Sequence, residues 1–538
     1  MPSTDSLTTT GASSLPLAPM RVRAEALVRS AGIALLRNRL YWACLIAAAF
    51  AASLIWLVKH NLNADLAWNL YAAEQLCHGA KLYRDVGDPN LPLAYLIHIP
   101  PVLLAAVLRI PAKLVFYALV TLFLAVGLLF FNNAIRELTS LSTVRRRLLI
   151  LVIAACALGL HKRDFGQRDV LAGFAFIFLV ADLYGRIHGQ VRPTVGRYTM
   201  LVLVAIIIAV KPFFLIPWVL VIAWTVLQVG PVRTLRMPDC WLVIAITALA
   251  GVGTLIMVPS YLVMARNAAK YYSAYNADLR WIIFDLREVF VSAAILLFWR
   301  PSPLIRNLAR LSTLAALGFA IEVVIQHKGW TYHEAPATLW GCIAVALLPV
   351  DLMQRPALYK RLVLLRASTL TLLASLVIAV LPLVRAVTSY SDATDTILFM
   401  KHYAQGKTVL PLATDVWTSY PAILEANALN LLPTPNLWTI PGLYRDQVKR
   451  AYHTQPARFH QPAEMEAIEK EQFDRVVDIA VRLHPAVILV QRTSNTPELG
   501  LLKFDFLKYF SIDQRFRDSL SQYVEGPSDD RCRIFIHR

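Results

Sequence analysis

Apolar residues run through this chain in continuous blocks rather than in alternation. Between Tyr41 and Val387, stretches long enough to cross a hydrocarbon core recur, separated by short polar segments. They lack the period-two alternation of a transmembrane barrel. The pattern predicts a polytopic α-helical membrane protein, with spans near residues 41–58, 114–131, 148–161, 170–184, 199–210, 213–229, 240–258, 288–299, 311–325, 336–350 and 367–387. That is about eleven crossings by hydropathy and loop charge. One further apolar block, Leu91–Leu108, contains His98 and the Pro100–Pro101 pair.

Loop charge decides how that block is read. The loops Arg136–Arg147, Gly185–Arg197, Arg233–Arg236, Arg300–Arg310 and Gln354–Arg366 are basic. If Leu91–Leu108 lies along the surface instead of crossing, all of them face the cytoplasm, as the positive-inside bias requires. The segments Asn61–Leu91, His161–Asp169, Lys211–Pro212, Pro259–Arg287, Gln326–Glu334 and everything after Thr388 then share the external face. The polar segments best suited to chemistry fall on one side, although loop charge alone set the parity.

Residues 1–39 read as a largely disordered cytoplasmic N-terminus, Ser/Thr-rich and then basic, leading into a retained first helix rather than a cleaved signal peptide. Residues 40–388 read as the membrane domain, with a first external loop over 60–110. From 389 to 538 the composition shifts toward charge and scattered proline. Val409–Ala413 and Ala486–Val490 look like strands and Pro462–Leu483 has helical spacing, so a small soluble α/β domain on the external side is expected.

Composition sharpens this picture in three ways. Hydrophobic residues make up 57% of 538 and mean hydropathy is +0.53, above the soluble range. The net charge of +18 would suggest nucleic acid in a soluble protein, but no nucleic-acid signature accompanies it, and the basic loops match anionic membrane lipids. The six cysteines fit no zinc spacing. Cys77 and Cys532 both fall outside, which leaves a disulfide between them open.

The candidate chemistry begins at Asn63–Pro92, where Asp65, Glu74, Asp85 and Asp88 gather just after the first apolar run. Asp65–Gly79 reads as a short amphipathic helix with Leu66, Leu70, Ala73 and Leu76 on one face. Asp65 at its start is either a helix cap or a general base at the membrane boundary. Glu74, Asp85 and Asp88 read as shaping or pairing residues. The loop His161–Asp169 carries Lys162, Arg163, Asp164, Gln167, Arg168 and Asp169. It is either a solvated, internally paired loop or an anion site, because guanidinium groups grip phosphate with paired hydrogen bonds. Lys211 before Pro212 either snorkels to the headgroups or joins that site. Gln326–Glu334 supplies Lys328, Tyr332 and His333, and its two imidazoles, His327 and His333, leave a divalent metal open as a cofactor. No P-loop, dinucleotide-binding glycine pattern or nucleophile elbow is present, which argues against ATP-driven transport.

Asp65 with its following helix, Gly79, Tyr83-Arg84-Asp85 and Asn90-Leu91-Pro92-Leu93-Ala94-Tyr95 resemble the first external loop of GT-C class membrane glycosyltransferases. The nearest group is the bacterial aminoarabinose transferases and protein O-mannosyltransferases. Lys211-Pro212 resembles that group's mid-chain lysine turn, and Lys328 and Tyr332 before Pro336 its late external motif. The resemblance implies inverting transfer from a polyprenyl-phosphate sugar donor to an envelope glycan, lipid or protein acceptor, with Asp65 as the base and external cations on the leaving phosphate. The chain departs from the family at Leu66, where an acid is common, and at Asn90-Leu91-Pro92, where Lys-Pro-Pro is common. Arg84, Arg163 or Arg168 would take over that lysine's duty, with Asp85 beside Arg84. The rival functions are a lipid-linked saccharide transporter, for which Asp182 and Glu322 are the available intramembrane charges, and a non-catalytic envelope scaffold.

Overall fold

The computed structural model describes residues 39–138, 141–160, 162–190, 193–299, 301–352, 394–494 and 496–538. The expected disordered segment before Arg39, the Gln354–Arg366 loop and the crossing at 367–387 lie outside the described residues.

The membrane part is a helical bundle. Its main helices are α1 Arg39–Lys59, α2 Ala64–Cys77, α3 Pro92–Leu96, α4 Ile99–Leu108, α5 Ala112–Leu138, α6 Thr143–Gly159, α7 Arg168–Ile187, α8 Val195–Ala209, α9 Leu215–Val229, α10 Pro238–Met257, α11 Ser260–Tyr271, α12 Arg287–Phe298, α13 Pro303–Gln326 and α14 Thr331–Leu352. Among the described residues, six helical segments are long and apolar enough to cross a membrane: Leu40–Lys59, Ala112–Glu137, Arg168–Ile187, Pro212–Val229, Pro238–Met257 and Ile305–Gln326. The protein is therefore a multi-pass membrane protein. The other expected crossings among the described residues form shorter or more polar helices, such as the 15-residue α8 and the 12-residue α12. The block Leu91–Leu108 is broken at Ile97–His98 into α3 and α4. The longer of the two has 10 residues, about 15 Å of helix, against a hydrocarbon core of about 30 Å.

At the centre of the bundle stands α7. Every residue from Arg168 to Gly185 is buried, as a helix apolar on all faces must be. Its two ends carry the polar residues. At the C-terminal end, Arg197 holds Asp182 through two bonds of 2.5 and 2.9 Å and reaches Asp239 at 2.8 Å, while Arg186 bridges the same two acids. Two cations thus balance two buried carboxylates, the condition under which burying charge is tolerable. Close packing elsewhere depends on small residues: a Cβ on Gly318 of α13 would lie 2.3 Å from the Cα of Pro217 in α9.

Residues 394–538 form an α/β unit. Its strands are β1 Thr408–Leu412, β2 Leu429–Asn430, β3 Gln455–Pro456, β4 Val487–Gln491, β5 Leu502–Lys503, β6 Tyr523–Glu525 and β7 Cys532–His537. The main sheet runs β2-β1-β4-β7-β6, parallel across β2, β1 and β4 and antiparallel beyond, and β3 pairs with β5 apart from it. Both expected strands are present within a residue of the expected bounds, and the helix expected over Pro462–Leu483 runs from Ala467 to Leu483. Strand β1 is buried from Val409 to Leu412 and β4 throughout, matching the continuous apolar runs of parallel strands.

This unit seats on the bundle through backbone and side-chain contacts. Asn430 N–H donates to the Tyr71 hydroxyl at 3.0 Å, and Gly87 N–H to the Pro433 carbonyl at 2.8 Å. Lys270 and the Tyr271 hydroxyl both reach Glu466 at 2.6 Å. A Cβ on Gly442 would meet Tyr271 atoms at 2.6 Å. All six cysteines are free, with Cys77 exposed and Cys532 buried. The disulfide left open between them does not form.

Candidate active site

Helix α2 begins with Asn63, whose side-chain oxygen accepts the Asp65 backbone N–H at 2.9 Å. Asn63 is the cap, which removes the alternative that Asp65 caps this helix. The helix is not amphipathic either: Ala64 and Leu66 through Ala73 are all buried, because α2 is packed on several sides. Asp65 is the first-turn residue left facing open space.

That space is a cavity of about 690 Å³ between the bundle and the C-terminal unit. Asp65 lines it together with Asp88, Arg163, Arg168, Lys211 and Lys328, and with Trp417 and Glu498 from the far side. Burial pushes the Asp65 carboxyl up to about 6. Nearby Asp88 and Asp415 add to that, while the Arg168 guanidinium and a hydrogen bond from Tyr332 oppose it. A carboxyl so placed is ionised at neutral pH yet more basic than a solvated aspartate, which suits proton abstraction.

A polar web fixes the walls. Asn63 Nδ2 donates to Asp164 Oδ1 at 2.8 Å, Gln167 donates to Asn63 Oδ1, and Thr331 Oγ1 donates to Asp164 Oδ2 at 2.7 Å. Arg168 donates to Asn90 Oδ1, and its own Nε is buried without a hydrogen-bond partner. Asp88 accepts from the Tyr95 hydroxyl and from Asn90 N–H at 2.9 Å. The first loop is thereby tied to the head of α7 and to the start of α14. Lys328 Nζ donates to the Tyr272 carbonyl and to Asn276 Oδ1, each at 2.7 Å, and burial lowers the lysine to about 8. Arg163 lies over the Trp417 ring, 3.9 Å from its centroid.

Beneath these groups sits a second cluster. Lys211 Nζ is 2.7 Å from Asp169 Oδ1, 3.4 Å from Glu322 Oε1 and 3.1 Å from His333 Nδ1. The three ligand atoms lie within 4.8 Å of one another, and Asp169 Oδ2, Glu322 Oε2 and His333 Nε2 are buried without hydrogen-bond partners. One imidazole and two carboxylates are a donor set suited to a divalent cation, and here the lysine ammonium stands among them. His327 is not part of the group.

Eight of the thirteen expected site residues line this cavity: Asp65, Arg163, Asp164, Arg168, Lys211, Lys328, Tyr332 and His333. Arg84 and Asp85 pair with each other at 3.1 Å on a surface turn, with the Arg84 side chain 70% exposed, and neither lines the cavity. Lys162 starts a short 3-10 turn, and its side chain lies outside the described residues. Gln167 and Asp169 act behind the wall. The intramembrane acids considered for a transport path are both paired, Asp182 with two arginines and Glu322 with Lys211. Sequence reading missed Asn63, the rings of Tyr272 and Tyr275 that stand beside Trp330, and the C-terminal residues Asp415, Trp417, Trp438 and Glu498. Asn63 was detectable as a strong capping residue; the others follow no local motif.

No family model matches the chain, and no curated protein does. Solved structures do. ArnT from Cupriavidus metallidurans, in the apo state, superposes with a TM-score of 0.55 at 10% identity, over 92% of this chain and 97% of that one. The oligosaccharyltransferase AglB from Archaeoglobus fulgidus, in complex with an inhibitory peptide and a dolichol-phosphate, aligns over 90% of this chain and 72% of that one, with a TM-score of 0.41 at 12% identity. The arabinofuranosyltransferase AftD from Mycobacteria aligns over 91% of this chain and 41% of that one, with a TM-score of 0.42 at 13% identity. At the level of fold, the chain is similar to ArnT over nearly the whole length of both chains.

Proposed function

We propose that this protein is an inverting glycosyltransferase that moves a sugar from a polyprenyl-phosphate donor to an envelope acceptor at the periplasmic face of a bacterial inner membrane. The observation that carries the reading is one cavity holding a carboxylate, Asp65, and two buried cations, Arg168 and Lys328. Asp65 takes the proton of an acceptor hydroxyl as its oxygen attacks the anomeric carbon. The bond from that carbon to the phosphate oxygen breaks, and the polyprenyl phosphate leaves with the electron pair. Its growing negative charge is met by Arg168 and Lys328, which are already desolvated and fixed. Attack opposite the leaving group inverts the anomeric centre.

Asp169, Glu322 and His333 are the residues that would hold a divalent metal, whose charge would assist the departing phosphate. Lys211 meets the same charge requirement from within the chain. In this reading Lys211 acts mainly on those two acids, not as a free phosphate ligand.

Titration of polyprenyl phosphate into the purified protein in nanodiscs tests the proposal. Saturable binding is expected, weakened roughly 10- to 100-fold by Arg168→Ala and unchanged by Arg84→Ala. Absence of binding by the intact protein would overturn it.

A further inference from the structure

Away from the cavity that Asp65 lines, the described residues form an apolar groove of about 380 Å³. The two spaces have no lining residue in common. Nine residues line the groove, all of them apolar. Leu54 and Val58 come from the end of α1, Leu108 from the end of α4, and Leu114 and Ala118 from the start of α5, with Ile110 between the last two helices. The membrane-length segments Leu40–Lys59 and Ala112–Glu137 end and begin beside it. The groove therefore lies within one leaflet, just below the headgroup layer.

Its headgroup end is cationic. Lys59 follows Val58, and Arg109 stands between Leu108 and Ile110, so both cations adjoin lining residues. Both are exposed, and neither pairs with a carboxylate among the described residues. Lys113, one residue before Leu114, is already engaged: it donates to the His60 carbonyl at 2.6 Å and lies 3.7 Å from Glu425. Lys401 also holds Glu425, at 3.1 Å, so the carboxylate that reaches this corner is balanced. The backbone of Arg109 is an independent observation. Helix α4 closes with Arg109 N–H donating to the Ala106 carbonyl at 3.3 Å and Ile110 N–H to the Ala105 carbonyl at 3.1 Å, the paired bonds of a left-handed helix stop. Arg109 takes φ 54° and ψ 41° there, a conformation that favours glycine. Strain of this kind marks positions whose side chain is used.

We propose that the groove binds an anionic membrane phospholipid, with an acyl chain among the apolar residues and the headgroup phosphate between Lys59 and Arg109. An all-apolar groove inside a leaflet takes hydrocarbon. Two cations at headgroup depth attract an anionic headgroup and can bond its phosphate. The ammonium of a zwitterionic headgroup would meet two like charges there, which selects against it. The occupant is a phospholipid and not the polyprenyl donor, because the groove shares no lining residue with the cavity in which the transferase reading puts the donor phosphate.

Native mass spectrometry of the full chain, stripped of lipid in detergent, tests it. The probes are equal amounts of dioleoyl phosphatidylglycerol and dioleoyl phosphatidylethanolamine, and the first is expected to be retained roughly tenfold better. Arg109→Gly relieves the left-handed backbone, so it is expected to melt no lower than the wild type while the preference falls to roughly threefold or less. Ala118→Phe is expected to fill the groove and reduce retention of phosphatidylglycerol itself. Arg168→Ala, in the other cavity, is expected to leave the preference unchanged. Equal retention of the two lipids, an unaltered preference in Arg109→Gly, unaltered retention in Ala118→Phe, or a lost preference in Arg168→Ala would overturn the proposal. Displacement of the phosphatidylglycerol by an equal amount of undecaprenyl phosphate would overturn it too, since the groove would then seat the donor's tail.

Discussion

Asn63 receives the backbone N–H of Asp65 at 2.9 Å, so one residue finishes the helix and its second neighbour is free to face the cavity. The two roles are separable. Asp65→Asn leaves the cap untouched and is expected to melt as the wild type does while transfer falls about 10²- to 10⁴-fold, the range for loss of a general base. Asn63→Ala is expected to lower stability by roughly 1–2 kcal/mol through the lost cap and its bond to Asp164. Paired melting and transfer assays check both; full activity in Asp65→Asn would remove the catalytic assignment.

The pH profile follows from two shifted groups on opposite sides of neutrality. Asp65 is raised to about 6, so it is a competent base only above that pH. Lys328 is lowered to about 8, so it carries its charge only below that pH. The ratio kcat/KM is therefore expected to form a bell with limbs near these values. Lys328→Arg, which keeps its charge throughout, is expected to flatten the alkaline limb. Rate measurements from pH 5 to 9 decide the matter, and an unchanged alkaline limb in that variant would disconnect it from Lys328.

Removing Lys211 leaves Asp169 and Glu322 buried and unbalanced, a change that costs about 3–5 kcal/mol where one partner of a buried pair is lost. Lys211→Ala also opens the space between three ligand atoms already within 4.8 Å of one another. The variant is expected to melt lower than the wild type and to regain stability with Zn²⁺ or Mn²⁺, by about 2.7 kcal/mol at one hundred times the dissociation constant. The wild type is expected to show no comparable gain. A variant that melts lower and ignores both ions would mean the triad cannot close on a metal.

Gly318 tests the packing that holds this cluster in place. Its missing Cβ would lie 2.3 Å from Pro217 Cα and 2.7 Å from Pro217 Cβ. Gly318→Ala must therefore push α13 from α9, and a loss of about 1–3 kcal/mol in thermal or denaturant unfolding is expected. Glu322 lies four residues further along α13, so the Lys211 contacts are expected to loosen with it. Gly251→Ala, with nothing within 4 Å, is the control and should not destabilise.

The membrane character, the two long strands of the sheet and the loops that meet at the cavity were legible because each leaves a local signature: continuous apolar runs, strand-length blocks, or charge where charge is depleted. Arg84 misled for the same reason, since a cation in the right loop looks alike whether it turns inward or pairs with the adjacent Asp85. Glu322 was visible only as an unexplained acid in an apolar run; its partner, Lys211, lies more than a hundred residues away. Asp415 and Glu498 had no signature at all. They matter because the β2-β1-β4 order brings two strand ends together and seats them over Asp65, and a strand order is not written in any one segment.

The seating of Gly442 against Tyr271 carries a further consequence. Eight of the 33 residues that line the cavity come from the last part of the chain and the others from the membrane part, and the two parts touch at Gly442, where a single added methyl would collide with Tyr271. The cavity that Asp65 faces is therefore complete only with the C-terminal unit in place. Asp415, which helps to raise the Asp65 carboxyl, comes from that unit, so the acid's basicity depends on how the two parts of the chain come together.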